Sequence, residues 1–285
     1  MKRAILNEVL SRKPDKPLYH YTTQSGLLGI IGQKQIWATH TQFLNDRREF
    51  LHALDLVRQE IERMLDSSER ENHRILEDMR DSLAGHGSIN VCVCSFSEER
   101  DSLAQWRAYA GRSSGFAIGF PGDLLVATAQ NQRWYLAPCI YDESQQRAVI
   151  RALVEEVFEE NLATQDTRKS DEHRLAQGGS LCAYLNRYAP ILKHRSFAEE
   201  REWRIISRPL FCQLPQFDFR EGNSSLIPYF KLPLCDKDST FRVHEIVVGP
   251  TPDEHRSIRS VRSFLVRNDL EETSVTSSEV PYRNW

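Results

Sequence analysis

Ser196-Phe197-Ala198-Glu199-Glu200-Arg201-Glu202-Trp203-Arg204-Ile205-Ile206 drives carboxylates into an aromatic and β-branched run that reads as a buried strand. A carboxylate taken out of water is costly without a partner. Side chains alternate across a strand, so an extended segment sets Glu200 and Glu202 on one face, flanked by Arg201 and Arg204. That arrangement suits a site that must hold or create positive charge. The same residues also fit an edge strand with solvated charges, so the reading depends on what accompanies the segment.

Upstream, residues 1 to 13 read as a short helix, and Leu18-Tyr19-His20-Tyr21 as a first strand. Thr22 and Thr23 are good caps for a short helix carrying Leu27, Leu28, Ile30 and Ile31, which Gly32 should end, and Ile36 to His40 reads as a second strand. Asn45-Asp46 opens a longer helix with Phe50, Leu54, Val57, Ile61 and Leu65 at helical spacing. Glu49 falls where a capping box would put it. A charged helix over residues 69 to 83 should pair with it. Strands are then expected at Val91 to Phe96, Gly115 to Phe120 and Trp134 to Tyr141, with a helix through Leu103, Trp106 and Tyr109.

Residues 144 to 190 read as mostly helical, broken by the polar run Asp166 to Gly179, and are expected as an insertion on one side of the sheet. Beyond Glu202 to Ser207 come a strand near Leu226 to Lys231, a strong one at Glu245 to Val248, a helix from Asp253 to about Val266 and a last strand near Ser274. The expected fold class is α+β, one domain over residues 1 to 285 around a mixed, mostly antiparallel sheet.

Among 285 residues, 37 basic and 40 acidic side chains give a formal net charge of −3, so any nucleic-acid contact must come from a local patch. Apolar runs fall well short of the roughly 18 residues that span a bilayer, and the first residues lack a secretory core; a soluble, cytoplasmic protein without membrane contact is expected. The six cysteines then read as reduced thiols. Cys92 and Cys94 lie in a strand-like run, and no second close pair or His-x-x-x-His completes a zinc set, so no metal site is expected.

Leu18-Tyr19-His20-Tyr21-Thr22 with Gly26-Leu27, Leu44-Asn45-Asp46 with Glu49, Cys94-Ser95-Phe96-Ser97 with Asp101, Gln105-Trp106 with Tyr109-Ala110, Glu200-Arg201-Glu202-Trp203-Arg204, and Ile246 to Pro250 with Ser278 to Arg283 occur in this order. Together they resemble the prokaryotic family catalogued as domain of unknown function 2971, a label that names no reaction. The order is also similar to the ADP-ribosyltransferase superfamily, in the subset whose site is summarised as His, Tyr, Glu. That resemblance implies an ADP-ribosyltransferase-like fold with NAD as substrate. It implies that His20 contacts the ribose of the adenosine half and that an aromatic, with Trp106, Tyr109 and Phe96 all candidates, stacks on nicotinamide. Glu202 would grip the nicotinamide ribose. A Glu-x-Glu pair is more typical of the superfamily's Arg-Ser-Glu subset, so the chain joins two signatures.

Cleaving the nicotinamide–ribose bond passes through an oxocarbenium-like state, which a fixed carboxylate such as Glu202 stabilises. Tyr21, Thr22 and Ser95 stand with His20 as cofactor-binding candidates, the Thr22 or Ser95 hydroxyls and His20 able to pair with ribose. Arg204, Arg107 or the helix start at Thr22 to Ser25 suits the pyrophosphate. Glu200 can activate an incoming nucleophile. His20 equally fits a core histidine, and Trp106 with Tyr109 equally fits ordinary core spacing. The resemblance also implies a macromolecular target, protein or nucleic acid, and a defence or toxin setting with an antidote protein. Two other functions fit the residues: a non-enzymatic nucleotide-sensing or partner-binding domain, and a metal-dependent nuclease built from Asp46, Glu49, Glu200 and Glu202.

Overall fold

The computed structural model describes residues 2–44, 47–83, 89–110, 115–164, 181–236 and 238–281. The helices are α1 (Lys2–Ser11), α2 (Gln24–Gln33), α3 (Arg47–Ser67), α4 (Arg70–Ser82), α5 (Leu103–Tyr109), α6 (Gly122–Asn131), α7 (Glu143–Thr164), α8 (181–188) and α9 (Glu254–Arg267). The strands are β1 (Leu18–Thr22), β2 (Gln35–His40), β3 (Cys92–Ser97), β4 (Phe116–Phe120), β5 (Tyr135–Pro138), β6 (Glu202–Ile206), β7 (Phe217–Arg220), β8 (Ile227–Pro233), β9 (Glu245–Val248) and β10 (Ser274–Ser277). The fold is α+β, and the sheet is antiparallel at every pairing except β9 with β10.

Alternation along two central strands sorts the core into layers. On β3, Cys92, Cys94 and Phe96 join Trp203 and Ile205 of β6 in a cluster covered by α2, α6 and α9. On the other face, Val93 and Ile206 join a second cluster built by α1, α3, α4, α7 and α8. The region expected as an insertion packs against α1 and α3 as part of this layer. Its polar break, residues 166 to 179, lies outside the described residues, as do Asn45, Asp46, the side chain of Glu49, and Tyr282 with Arg283.

Several expectations are corrected. The helix after β1 runs through Gly32 and ends at Lys34, whose φ of 52° supplies the left-handed turn into β2. Two elements arise without an expectation. Helix α6 buries Leu124, Leu125 and Ala129 behind Pro121, and β7 pairs with β8 at the sheet edge. The strand expected over Trp134 to Tyr141 shrinks to β5. Among the described residues no helix is long and apolar enough to cross a membrane.

Candidate active site at the fork of the sheet

Three strands compete for β3. From Val93↔Ile206 to Ser97↔Glu202 it pairs with β6 on one edge. The other edge is divided: β1 reaches it only at Tyr19↔Ser97, and β2 only at Thr39↔Val93 and His40↔Cys92. Between these contacts the sheet forks, and a cavity of about 480 Å³ opens against Cys94 and Ser95. That volume lies within the roughly 300–1,000 Å³ of small-molecule sites.

The fork accounts for how His20 and Glu202 come to line one cavity. By alternation, His20 shares a face with Leu18 and approaches Phe96, ring centroids 5.9 Å apart, in the α2 and α6 layer. Glu202 pairs with Ser97 and points to the opposite face, with Ile206. A continuous sheet would separate them. Where β1 and β2 part, both side chains border the same cavity.

Ser95 loses a backbone partner at the fork, and the His20 ring replaces it: Nδ1 lies 2.9 Å from the Ser95 carbonyl oxygen. A carbonyl only accepts, so Nδ1 carries the hydrogen. Burial lowers the pKa of the ring, against the opposing effect of that bond. In the neutral tautomer Nε2 is therefore a lone-pair acceptor.

The segment is not extended through Glu200, so the two acids do not lie on one strand face. A 3-10 turn, Arg195–Glu200, carries Glu200, and Arg201 at φ 42° reverses the chain into β6. Nor is β6 an edge: it lies between β3 and β5, and all five of its residues are buried. The two acids converge on Lys193, whose Nζ donates to Glu200 Oε2 at 2.6 Å and Glu202 Oε2 at 2.5 Å. Arg204 clamps Glu202 with Nε to Oε1 at 2.7 Å and Nη2 to Oε2 at 3.1 Å, and anchors itself to the Pro190 carbonyl at 2.6 Å.

Burial opposes ionisation of Glu202, but the charges of Arg204 and Lys193 and the hydrogen bonds they donate outweigh it and hold the carboxyl down at about 2. Lys193 is likewise desolvated, yet Glu202 and Glu200 keep its pKa raised. Glu202 is thus an anion at neutral pH, with no proton to donate. Among the described residues three donors fill three of the roughly four acceptor positions of this carboxylate.

The remaining candidates separate into lining and scaffold. Thr22, Ser95 and Arg204 line the cavity, as does Tyr109, which is 38 % exposed. Burial, then the nearby Glu202 and Glu200 charges, raises the Tyr109 pKa. Tyr21 borders the cavity too, but its hydroxyl donates to the Glu99 carbonyl at 2.7 Å and accepts from the Ser102 amide at 3.0 Å. Trp106 does not reach the cavity. It is 1 % exposed, packs edge-on against Tyr21 and donates from Nε1 to Asp101 at 2.6 Å. It is therefore corrected from stacking candidate to scaffold. Arg107 is exposed and does not line the cavity. Phe96 borders a side chamber of about 50 Å³, shared with Tyr19, His20, Tyr109, Glu200 and Glu202.

At the α2 start, Thr23 accepts from the Gly26 amide at 3.3 Å, and a Cβ at Gly26 would run into the Thr22 hydroxyl. Threonines, Ser25 and Gly26 bring this helix start to the cavity wall.

Lys193, Trp37 and Arg220 also line the cavity, and none stood out in the sequence. Lys193 sits in the polar run Lys193-His194-Arg195; its burial follows from a single parallel bridge, Ile140↔Leu192, with Lys193 N donating to the Ile140 carbonyl at 3.1 Å. Trp37 at an outward strand position was the one available signal. Cys92 and Cys94 are buried thiols whose pKa burial raises. Among the described residues no group of three or more His, Cys, Asp or Glu is placed to hold a metal.

A family model described as "Protein of unknown function (DUF2971)" matches residues 105–205, from α5 through Ile205 of β6. No curated protein and no solved structure matches the chain.

Proposed function

We propose that the fork cavity binds NAD and that the protein breaks its nicotinamide–ribose bond, as an ADP-ribosyltransferase or an NAD glycohydrolase on an ADP-ribosyltransferase-like fold. The observation that supports this reading is the joint bordering of one cavity by His20 and Glu202 from opposite faces of a forked sheet. His20 Nε2 accepts a hydroxyl of the adenosine ribose, and Glu202 accepts a hydroxyl of the nicotinamide ribose. Tyr109, with Phe96 behind, supplies the wall of the small chamber for the pyridinium ring. The α2 start offers donors for the pyrophosphate.

In the reaction the bond from ribose C1′ to the ring nitrogen breaks, and its electron pair goes to that nitrogen, so nicotinamide leaves neutral. The positive charge left on C1′ develops beside an anion that is already in place and needs no reorganisation. A hydroxyl or amine of a macromolecular target, or water, then bonds to C1′ and releases its proton to Glu200.

The test is nicotinamide release from NAD, with lysate as the source of targets, for the native chain and for Glu202→Gln. Release by the native protein and a drop of at least a hundredfold in the variant is the expected result. No release from either removes the cleavage reading.

One observation favours a second reading, a nucleotide sensor without turnover. Lys193 and Arg204 balance the charges of Glu200 and Glu202 and lower the electrostatic advantage of the acid. Calorimetry separates the two: tight nucleotide binding with no product formed is the sensor's signature. The nuclease reading draws no support from Glu200 and Glu202, whose charges are paired with Lys193 and Arg204.

A further inference from the structure

The outer end of the cavity differs in chemistry from its floor. Trp37 and Thr39 on β2 and Arg220 on β7 form its rim. Register places these side chains on one face: Thr39 pairs with Tyr229, Trp37 with Lys231, and Tyr229 with Asp218, two residues from Arg220. Trp37 stays 44 % exposed, a large indole left in water on a strand whose neighbours Ile36 and Ala38 are buried.

The ring is nevertheless held in place. Tyr229 backs it at 4.3 Å between centroids with an interplanar angle of 30°. Tyr229 in turn donates to Asp218 at 3.4 Å, and Asp218 is gripped by Lys231 at 2.6 Å. Arg220 donates one hydrogen bond to Thr39 Oγ1 at 3.3 Å and has no carboxylate partner among the described residues. A braced aromatic plane beside a guanidinium that no described carboxylate pairs is the chemistry that recognises a base joined to a phosphate.

We propose that Trp37 is the stacking platform for the purine base of a nucleotide and that Arg220 holds the adjoining phosphate. This rests on the reading of the cavity as a dinucleotide site and assigns its rim to the adenosine half. One base is the expected occupant, not a nucleic-acid strand. The next exposed aromatic, Phe219, alternates to the opposite face of β7, so the platform is one ring wide.

The probes are ADP, adenosine and nicotinamide mononucleotide, titrated calorimetrically into the full chain and into Trp37→Leu, Trp37→Phe and Arg220→Gln, with far-UV circular dichroism to confirm folding. ADP binding to the native protein should weaken roughly tenfold in Trp37→Leu and recover largely in Trp37→Phe. Arg220→Gln should weaken ADP and leave adenosine unchanged. Nicotinamide mononucleotide should bind all four proteins alike. The proposal is overturned if ADP does not bind the native chain, or if folded Trp37→Leu binds it as the native chain does. Tryptophan-dependent ADP binding without nicotinamide release would keep the platform and remove cleavage. Release with a KM for NAD unchanged in Trp37→Leu would do the reverse.

Discussion

The Lys193 ammonium donates to Glu202 Oε2 at 2.5 Å with both side chains only 6 % exposed, which makes the lysine the keystone of the acidic floor. Removing Lys193 leaves the buried Glu202 to Arg204 alone and takes the ammonium from Glu200. Lys193→Met should cost about 3–5 kcal/mol in urea unfolding and raise the Glu202 pKa. A loss below about 1 kcal/mol would mean that the floor is solvated.

The same pair sets an acid limb. Glu202 titrates at about 2 in the folded protein against 4.5 for an unperturbed glutamate. A depressed carboxyl contributes stability above its unfolded value and loses it as pH falls through the folded one. Stability should therefore decline between pH 4.5 and about 2, and Glu202→Gln, though less stable at pH 7, should decline less steeply there. Parallel pH profiles of native and variant proteins would contradict the assignment.

His20 is expected to be neutral, with its hydrogen on Nδ1, because the Ser95 carbonyl can only accept. Nitrogen chemical shifts across a pH titration report both properties: the midpoint should lie below the ordinary 6.5, and Nε2 should carry the lone-pair shift. The unfolded chain protonates first, so this group destabilises the fold as pH drops below 6.5. An Nε2–H tautomer would break the proposed acceptor role.

Gly29 offers a way to close the cavity without damaging the core. It lines the cavity, and a Cβ there meets nothing within 4 Å. Gly29→Leu should keep or raise the melting temperature, since replacing a helical glycine gains up to about 1 kcal/mol, while nucleotide binding is lost. Retained binding would place the ligand elsewhere.

Trp106 and Tyr109 lie three residues apart on α5 and should behave oppositely. Trp106→Ala removes a packed indole and its bond to Asp101, costing about 3–5 kcal/mol. Tyr109→Ala removes a side chain 38 % exposed and should cost below about 2 kcal/mol, with its effect on binding of the nicotinamide half. Equal destabilisation by both would remove Tyr109 from the cavity wall.

Much of this architecture is legible from side-chain periodicity, because local patterns record it. Trp203-Arg204-Ile205-Ile206 announces β6, and Glu245 to Val248 announces β9. What stays hidden is set by pairing. The fork depends on β1 and β2 touching β3 at different points, which no segment's own pattern encodes. The turn that carries Glu200 depends on Arg201 adopting a left-handed backbone, which the run of strand-like neighbours conceals. Lys193 reads as surface, since lysine is almost never buried unless paired, and Glu200 and Glu202, which pair with it, lie beyond the range of any local pattern. Trp106 and Tyr109 have indistinguishable spacing; only the packing of Val247 and Tyr21 around one of them assigns core to Trp106.

A structure of the protein crystallised with NAD tests the central claim most directly. The account predicts one dinucleotide spanning the fork, its nicotinamide ribose within hydrogen-bond reach of Glu202 and its adenosine ribose within reach of His20. Saturating NAD with the cavity empty, or bound with either ribose away from its residue, would contradict it.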